Sequence, residues 1–376
     1  MEERKKKFLQ NVADKLQSGS PECKRVLLGF DGFVDEVVHV VGKRYDAENY
    51  DRVEYLADYG NMIARSAGVS LNIEMMPIRT KLGGNGTILA DSLVHHGVQI
   101  DYVGACGKNN IHPVFLGLAQ KARIFSVSDP GFTDAIEFKD GKIISCKLET
   151  LKDVNWENLK QSVGAEGLGN LIAECDMLGF ENWTLLIHMS DIWEHILDEV
   201  LPAIPDLKRK ILFIDLADPS KRPEEDIRHA VELLERFEDY FEVILGLNKK
   251  EARIIAGILG AENTEDFAEN IEVADYIKAH SRISKVIIHN AHGTCGVSKD
   301  ERAAVDTPYC ENPKQTTGAG DNFNAGFLLG QLLEMNLEES LAVGIANSGY
   351  YIREAVSADK GAITDFVIKW KVGSLE

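Results

Sequence analysis

Short runs of continuous aliphatic residues recur along the chain, separated by longer stretches in which apolar positions fall three and four apart. The runs are "RVLLGF" from residue 25, "IDYVGA" from 100, "KILFIDL" from 210, "EVILGL" from 242 and "KVIIHN" from 285. Unalternating runs of this length predict strands covered on both faces. The intervening "EEDIRHAVELLERFEDYF" and "EDFAENIEVADYIKAH" have the length and spacing of helices. Together they predict an α/β fold: a doubly wound, mostly parallel central sheet with helices on both faces, whose ligands sit outside the carboxyl ends of the strands.

Two stretches break the pattern by alternating apolar and polar positions. "DEVVHVVGKR" near residue 40 and "TDAIEFKDGKIISCKLETL" near 140, the latter with a turn signal at Asp140 and Gly141, predict exposed strands. They give a small β-sheet lid, approximately 33–45 and 123–150, within a single domain of residues 1–376. Residues 42–80 form a long connection with an amphipathic helix around "DYGNMIARSAG", expected to shape a substrate pocket or an oligomer contact. Near the start, Phe8, Val12 and Leu16 recur at helical spacing and predict a surface helix.

Composition narrows the partners. The net charge of −19 argues against a nucleic-acid or anionic-membrane surface, which needs clustered Lys and Arg. No apolar run is long enough to cross a bilayer. The six cysteines show no CxxC spacing, which suits free thiols in a reducing compartment, so the expected location is cytoplasmic. Small anions remain accessible to backbone dipoles.

One short stretch carries the strongest chemical signal. In "TTGAGD", residues 316–321, successive small residues let backbone N–H groups converge on an anion, and the apolar spacing from Phe323 to Phe327 starts a helix there. Such a terminus stabilises negative charge that develops during reaction. Asp321 then falls in the first turn, placed to take a proton from an attacking hydroxyl. The alternative for the loop alone is a helix cap in a tight turn, with Ala325, Gly326 and Gly330 serving close helix packing.

Three motifs occur in order: "GFDGFVDEV", "KLGGNGTILADSLVHHGVQIDYVGACGKN" and "TTGAGDNFNAGF". From residue 24 to the C-terminus the chain thereby resembles the ribokinase-like, phosphofructokinase-B (PfkB) family of carbohydrate kinases. The resemblance implies ATP as donor, a divalent cation (Mg2+), and phosphoryl transfer to a hydroxyl of a sugar or related small molecule. By that likeness Asp321 is the base, and Gly318, Ala319 and Gly320 form the anion hole. Asp31, Asp35, Gly83, Gly84 and Asn85 bind the acceptor. Asn248 and Glu251, in "NKKE", hold metal-bound water. Gly293, Thr294 and Gly296 pass the nucleotide, and Asn347 contacts adenine or ribose.

Two departures bear on activity. Gln315 stands where the family usually has an acid, which weakens the case for K+ activation, and Ile88 replaces a common asparagine contact. Arg79 and Lys81 read as solvated surface cations rather than a phosphate-binding pair. The alternatives kept open are a nucleoside kinase of the same family and a non-catalytic sugar- or nucleotide-binding regulator. The lid offers a surface for a homodimer.

Overall fold

The computed structural model describes residues 2–375. In chain order its strands are β1 Arg25–Phe30, β2 Phe33–Arg44, β3 Tyr50–Arg52, β4 Met75–Gly83, β5 Gln99–Gly104, β6 Arg123–Ser126 and β7 Gly131–Phe138. There follow β8 Gly141–Lys147, β9 Met177–Glu181, β10 Ile211–Asp215, β11 Glu242–Asn248, β12 Lys285–His289, β13 Gly293–Ser298 and β14 Arg302–Asp306. Nine of them form the main sheet, in the order β14-β13-β12-β11-β10-β9-β1-β5-β6. Pairings from β6 through β12 are parallel, and the β12-β13-β14 edge is antiparallel.

The strands are apolar throughout because each feeds two cores. Leu27, Leu212, Ile214, Val243, Leu245 and Val286 point into one, packed under helices such as Glu224–Phe237 and Asn270–Ala279. Their neighbours Val26, Leu28, Phe213, Ile244 and Ile287 point into the other, beneath Glu2–Ser18, Asn85–His95, Ala319–Leu332 and Leu337–Glu354. Period-two alternation with both faces dry is the expected doubly wound core. No described helix is long and apolar enough to cross a membrane.

Chain order in the sheet reverses at β1, with β5 on one side and β9 on the other. That reversal opens a crevice at the strand ends, the usual ligand position in such sheets. The strand β9, "MLGFE", is central and fully buried. It is not among the five runs that the apolar pattern singles out.

Above the crevice β2, β3, β4, β7 and β8 form the lid sheet. One expectation needs correction. Residues 123–126, expected in the lid, form β6 at the edge of the main sheet, paired parallel to β5. The 42–80 connection carries the expected helix, Leu56–Arg65, and adds β3 and most of β4 to the lid. That helix gives the lid its own small core. Tyr59 packs on Phe138 with ring centroids 5.4 Å apart, beside Val38, Val40, Val53 and Ile136. A register shift between Val37 and Val38 against β4 separates this outer core from the inner face of β2.

Candidate active site

The inner face of the lid roofs a small chamber of about 150 Å³. Strand alternation sends Phe33, Asp35 and Val37 of β2, Arg79 and Lys81 of β4, and Thr133, Ala135 and Glu137 of β7 into it, with Lys142, Ile144 and Cys146 of β8. Asp35 lies opposite Lys81 on one side and Thr133 on the other. Burial raises the Asp35 carboxyl, and the Lys81 charge and a Thr133 hydrogen bond oppose the shift. Gly83 is required here: a Cβ would lie 2.2 Å from the Asp35 carboxylate. Arg79 and Lys81, read from sequence as solvated surface, therefore belong to the chamber.

On the far side lies a larger cavity of about 1330 Å³, lined among others by Asn248, Lys250, Arg253, His289, Thr294 and Tyr309. The segment 315–320 is the wall between the two. Gln315 and Thr317 face the chamber, whereas Thr316, Ala319 and Gly320 face the cavity. Gly318 caps the helix Ala319–Leu332 at φ 90°, a left-handed conformation that glycine adopts without strain. The Ala319 N–H donates to the Thr316 carbonyl at 3.1 Å. Those of Gly318 and Gly320 have no partner among the described residues. An anion at this terminus would thus meet two free donors and the helix dipole. The expected third donor, Ala319, closes the turn instead.

At the foot of the wall Asp321 is buried and accepts a hydrogen bond of 2.8 Å from Asn85 Nδ2. It belongs to a cluster of acids gathered by the strand ends: Asp31 after β1, Glu181 ending β9 and Asp215 ending β10, the last two in register. Burial pushes Asp31 up to about 6 and Asp215 up to about 7, with the Glu251 charge adding to the latter. Burial, then the charges of Asp215 and Asp31, holds Asp321 well above the usual carboxylate range. Glu181 is raised in the same way, and both its oxygens are buried without a partner. Closely spaced buried carboxyls cannot all ionise cheaply, so at least one of this cluster keeps a proton that exposed acids lose.

Several expected residues lie elsewhere or do something else. Asp31 is fully buried and accepts from Asn85 N, Gly86 N, Asn182 Nδ2 and Tyr102 Oη, at 2.8, 3.0, 2.8 and 3.1 Å. It anchors the start of the helix Asn85–His95 rather than facing the chamber. Gly84 and Asn85 do line the chamber. Gly296 packs in β13, where a Cβ would lie 2.9 Å from Leu337, and Gly293 begins that strand; of this trio Thr294 lines the cavity.

Asn347 also falls outside the cavity. It meets His96 Nε2, Ser92 Oγ and the Asn322 carbonyl at 3.0, 2.9 and 2.6 Å, tying three helices together. Its carboxamide is spent inside the core, so it does not contact a nucleotide in this arrangement.

Asn248 and Glu251 form a capping box at the start of the helix Lys249–Ile258. Asn248 Oδ1 accepts from the N–H groups of Lys250 and Glu251, and Glu251 accepts from the N–H groups of Asn248 and Asp218. Each carboxylate oxygen keeps a lone pair. Burial raises Glu251, opposed by its backbone hydrogen bonds and the Lys250 charge, and the donor set is oxygen-rich. Among the described residues no three His, Cys, Asp or Glu side chains converge as a ready-made cage. The pair suits a partly hydrated Mg2+ that takes its remaining ligands from phosphates and water.

Three site residues escaped the sequence reading. Asn182 follows β9 at φ 63° and lines the chamber, with its Oδ1 buried and unpartnered. Glu181 beside it is hidden with the strand that carries it. His289 ends β12 in the large cavity, pushed down to about 4 by burial and 4.9 Å from the Phe323 ring. Polar residues at the ends of apolar runs are the available signal for all three.

Comparison with known proteins agrees with the fold. A curated ketohexokinase from Haloferax volcanii is 29% identical over 347 residues, 91% of each chain. A ribokinase from Thermotoga maritima aligns with a TM-score of 0.58 at 16% identity, over 92% of this chain and 99% of that one. An Escherichia coli protein of ribokinase II type, in complex with ATP and Mg2+, gives 0.63 at 13%, over 92% and 99%. These solved structures share the fold. The family described as prokaryotic ketohexokinase matches residues 2–370, and the chain belongs to that family of carbohydrate kinases.

Proposed function

We propose that this kinase moves the γ-phosphoryl group of ATP to a hydroxyl of a ketohexose held in the small chamber, with Asp321 as general base. The observation that carries the reading is the shared wall. Segment 315–320 separates the two cavities, its free N–H groups lie at the junction, and Asp321 at its foot is bonded to Asn85 from the acceptor side. The relative named ketohexokinase supplies the sugar class. The solved complex with ATP and Mg2+ supplies the donor and the ion.

The residues divide the work simply. Asp35, Asn85 and Asn182, which line the chamber, orient the sugar hydroxyls. Asp321 accepts the proton of the attacking hydroxyl, the new P–O bond forms, the bond to the ADP oxygen breaks, and ADP leaves through the large cavity. The N–H groups of Gly318 and Gly320 hold phosphoryl charge as it develops. Asn248 and Glu251 would hold a hydrated Mg2+, which supplies charge neutralisation on the phosphates.

Gln315 presents Nε2 to Tyr351 Oη and to the Thr317 carbonyl. A donor thus stands where a cation needs acceptors, so K+ has no part in this reading. A nucleoside acceptor would want a flat apolar shelf for its base, and among the described residues Phe33 is the one aromatic side chain lining the chamber.

The test is ADP release from MgATP against ketohexoses, aldohexoses and nucleosides, with and without K+, for wild type and Asp321→Asn. The expected result is turnover with a ketohexose, independent of K+, and a kcat lower by about 10²–10⁴ in the variant while ATP still binds. A variant that keeps wild-type kcat would remove Asp321 as base. Tight sugar binding with no turnover would make the protein a regulator.

A further inference from the structure

The lid carries a cation that the reaction above does not use. Lys142 is the second residue of β8, directly after the Asp140–Gly141 turn, so the hairpin tip projects it across the chamber. Its Nζ lies 3.3 Å from Thr316 Oγ1 and also bonds Thr317 Oγ1. Thr316 faces the large cavity and Thr317 the chamber, so the ammonium sits over the wall where the two spaces meet. The next residue is Gly318, with its free N–H.

Two other lid lysines are paired with acids, Lys139 with Glu54 and Lys147 with Asp134, whereas Arg79 donates to the Gln315 amide and Lys81 lies in register with Asp35. Lys142 forms no ion pair among the described residues; its two partners are neutral hydroxyls. Desolvation lowers its ammonium below the usual lysine range, opposed by the charges of Glu137 and Asp35. An ammonium with spare donor capacity thus stands above the anion hole.

We propose that Lys142 is a catalytic residue delivered by the lid, its ammonium touching the phosphoryl group as that group passes from one cavity to the other. This rests on the kinase reading above. Lys142 stays protonated and forms no covalent bond: it donates to an equatorial phosphoryl oxygen, while the one proton in transit goes from the acceptor hydroxyl to Asp321. Because the cation rides on the lid, it reaches the wall when the lid covers the chamber, which ties charge stabilisation to a seated acceptor.

The experiment compares Lys142→Met, Lys142→Arg and the lid control Lys147→Met by steady-state kinetics with MgATP and fructose. It adds the affinity of each for the analogue assembled from ADP, Mg2+, aluminium fluoride and fructose, with thermal melts to confirm folding. Lys142→Met should lower kcat by about 10²–10³, the usual cost of one donor to a developing oxyanion, with KM values within about threefold. Affinity for the analogue should fall by the same factor while ADP alone binds as before, Lys142→Arg should recover part of the loss, and Lys147→Met should behave as wild type. An unchanged kcat with raised KM, or an equal loss in Lys147→Met, would overturn the proposal and leave the kinase reading standing. A wild-type protein that turns over neither fructose nor any other sugar would remove both.

Discussion

At the scale of single residues, the acid cluster under the wall makes the sharpest prediction. Glu181 has two buried, unpartnered oxygens beside Asp215, and burial raises it well above the usual range. A raised folded-state value means that the folded chain keeps a proton the unfolded chain releases from about pH 4 upward, near the ordinary glutamate value. Stability is therefore lost as pH rises from there, and is unaffected below it. Glu181→Gln removes the titration and keeps the shape. The variant should melt higher than wild type at about pH 7 to 8, with the gap closing toward about pH 4. Melts that show the variant less stable at the alkaline end would mean an ionised, compensated Glu181. The same crowding would suit Asp321 to the proposed role of base, since a base held above the ordinary aspartate range takes up a proton more readily.

At the scale of elements, the lid behaves as a unit because it owns a core. The helix Leu56–Arg65 covers the outer face of the strands whose inner face lines the small chamber. Tyr59→Ala removes a ring from that core, at a local cost on the order of 3 kcal/mol. Amide exchange should quicken across β2, β4, β7 and β8 and stay unchanged in β9 through β12, and the KM for the acceptor should rise. Exchange that quickens evenly over both sheets would show that the lid has no stability of its own. The period-two pattern of β7 and the Asp140–Gly141 turn are legible in the sequence. The helix is legible too, from its apolar spacing. What it covers is not, because the register shift at Val37 and Val38 that turns β2 from one face to the other leaves no mark in composition.

At the scale of the whole molecule, Asn347 separates fold from site. The carboxamide joins the helices Asn85–His95, Ala319–Leu332 and Leu337–Glu354 through Ser92, His96 and the Asn322 carbonyl. Burial pushes His96 down to about 4, so the ring is neutral and donates its Nε2–H to Asn347 Oδ1. Asn347→Ala strands these partners and should cost about 1–3 kcal/mol. Calorimetry should find a lower Tm with ATP affinity unchanged; weakened ATP binding in a fully folded variant would return Asn347 to the nucleotide site.

The sequence by itself determined the layered α/β core, the lid and the loop around Asp321, because these depend on local causes. Burial on both faces makes a strand continuously apolar, exposure makes it alternate, and a close approach to an anion demands glycine. Tertiary structure alone decided which acids share a site. Asp31 became a helix anchor and Asp35 a chamber residue although they are close neighbours in the chain, since the first is saturated by donors from three other elements. It also brought Asn182 to the chamber and Lys142 to the wall from distant parts of the chain, through strand order and lid pairing that no local pattern encodes.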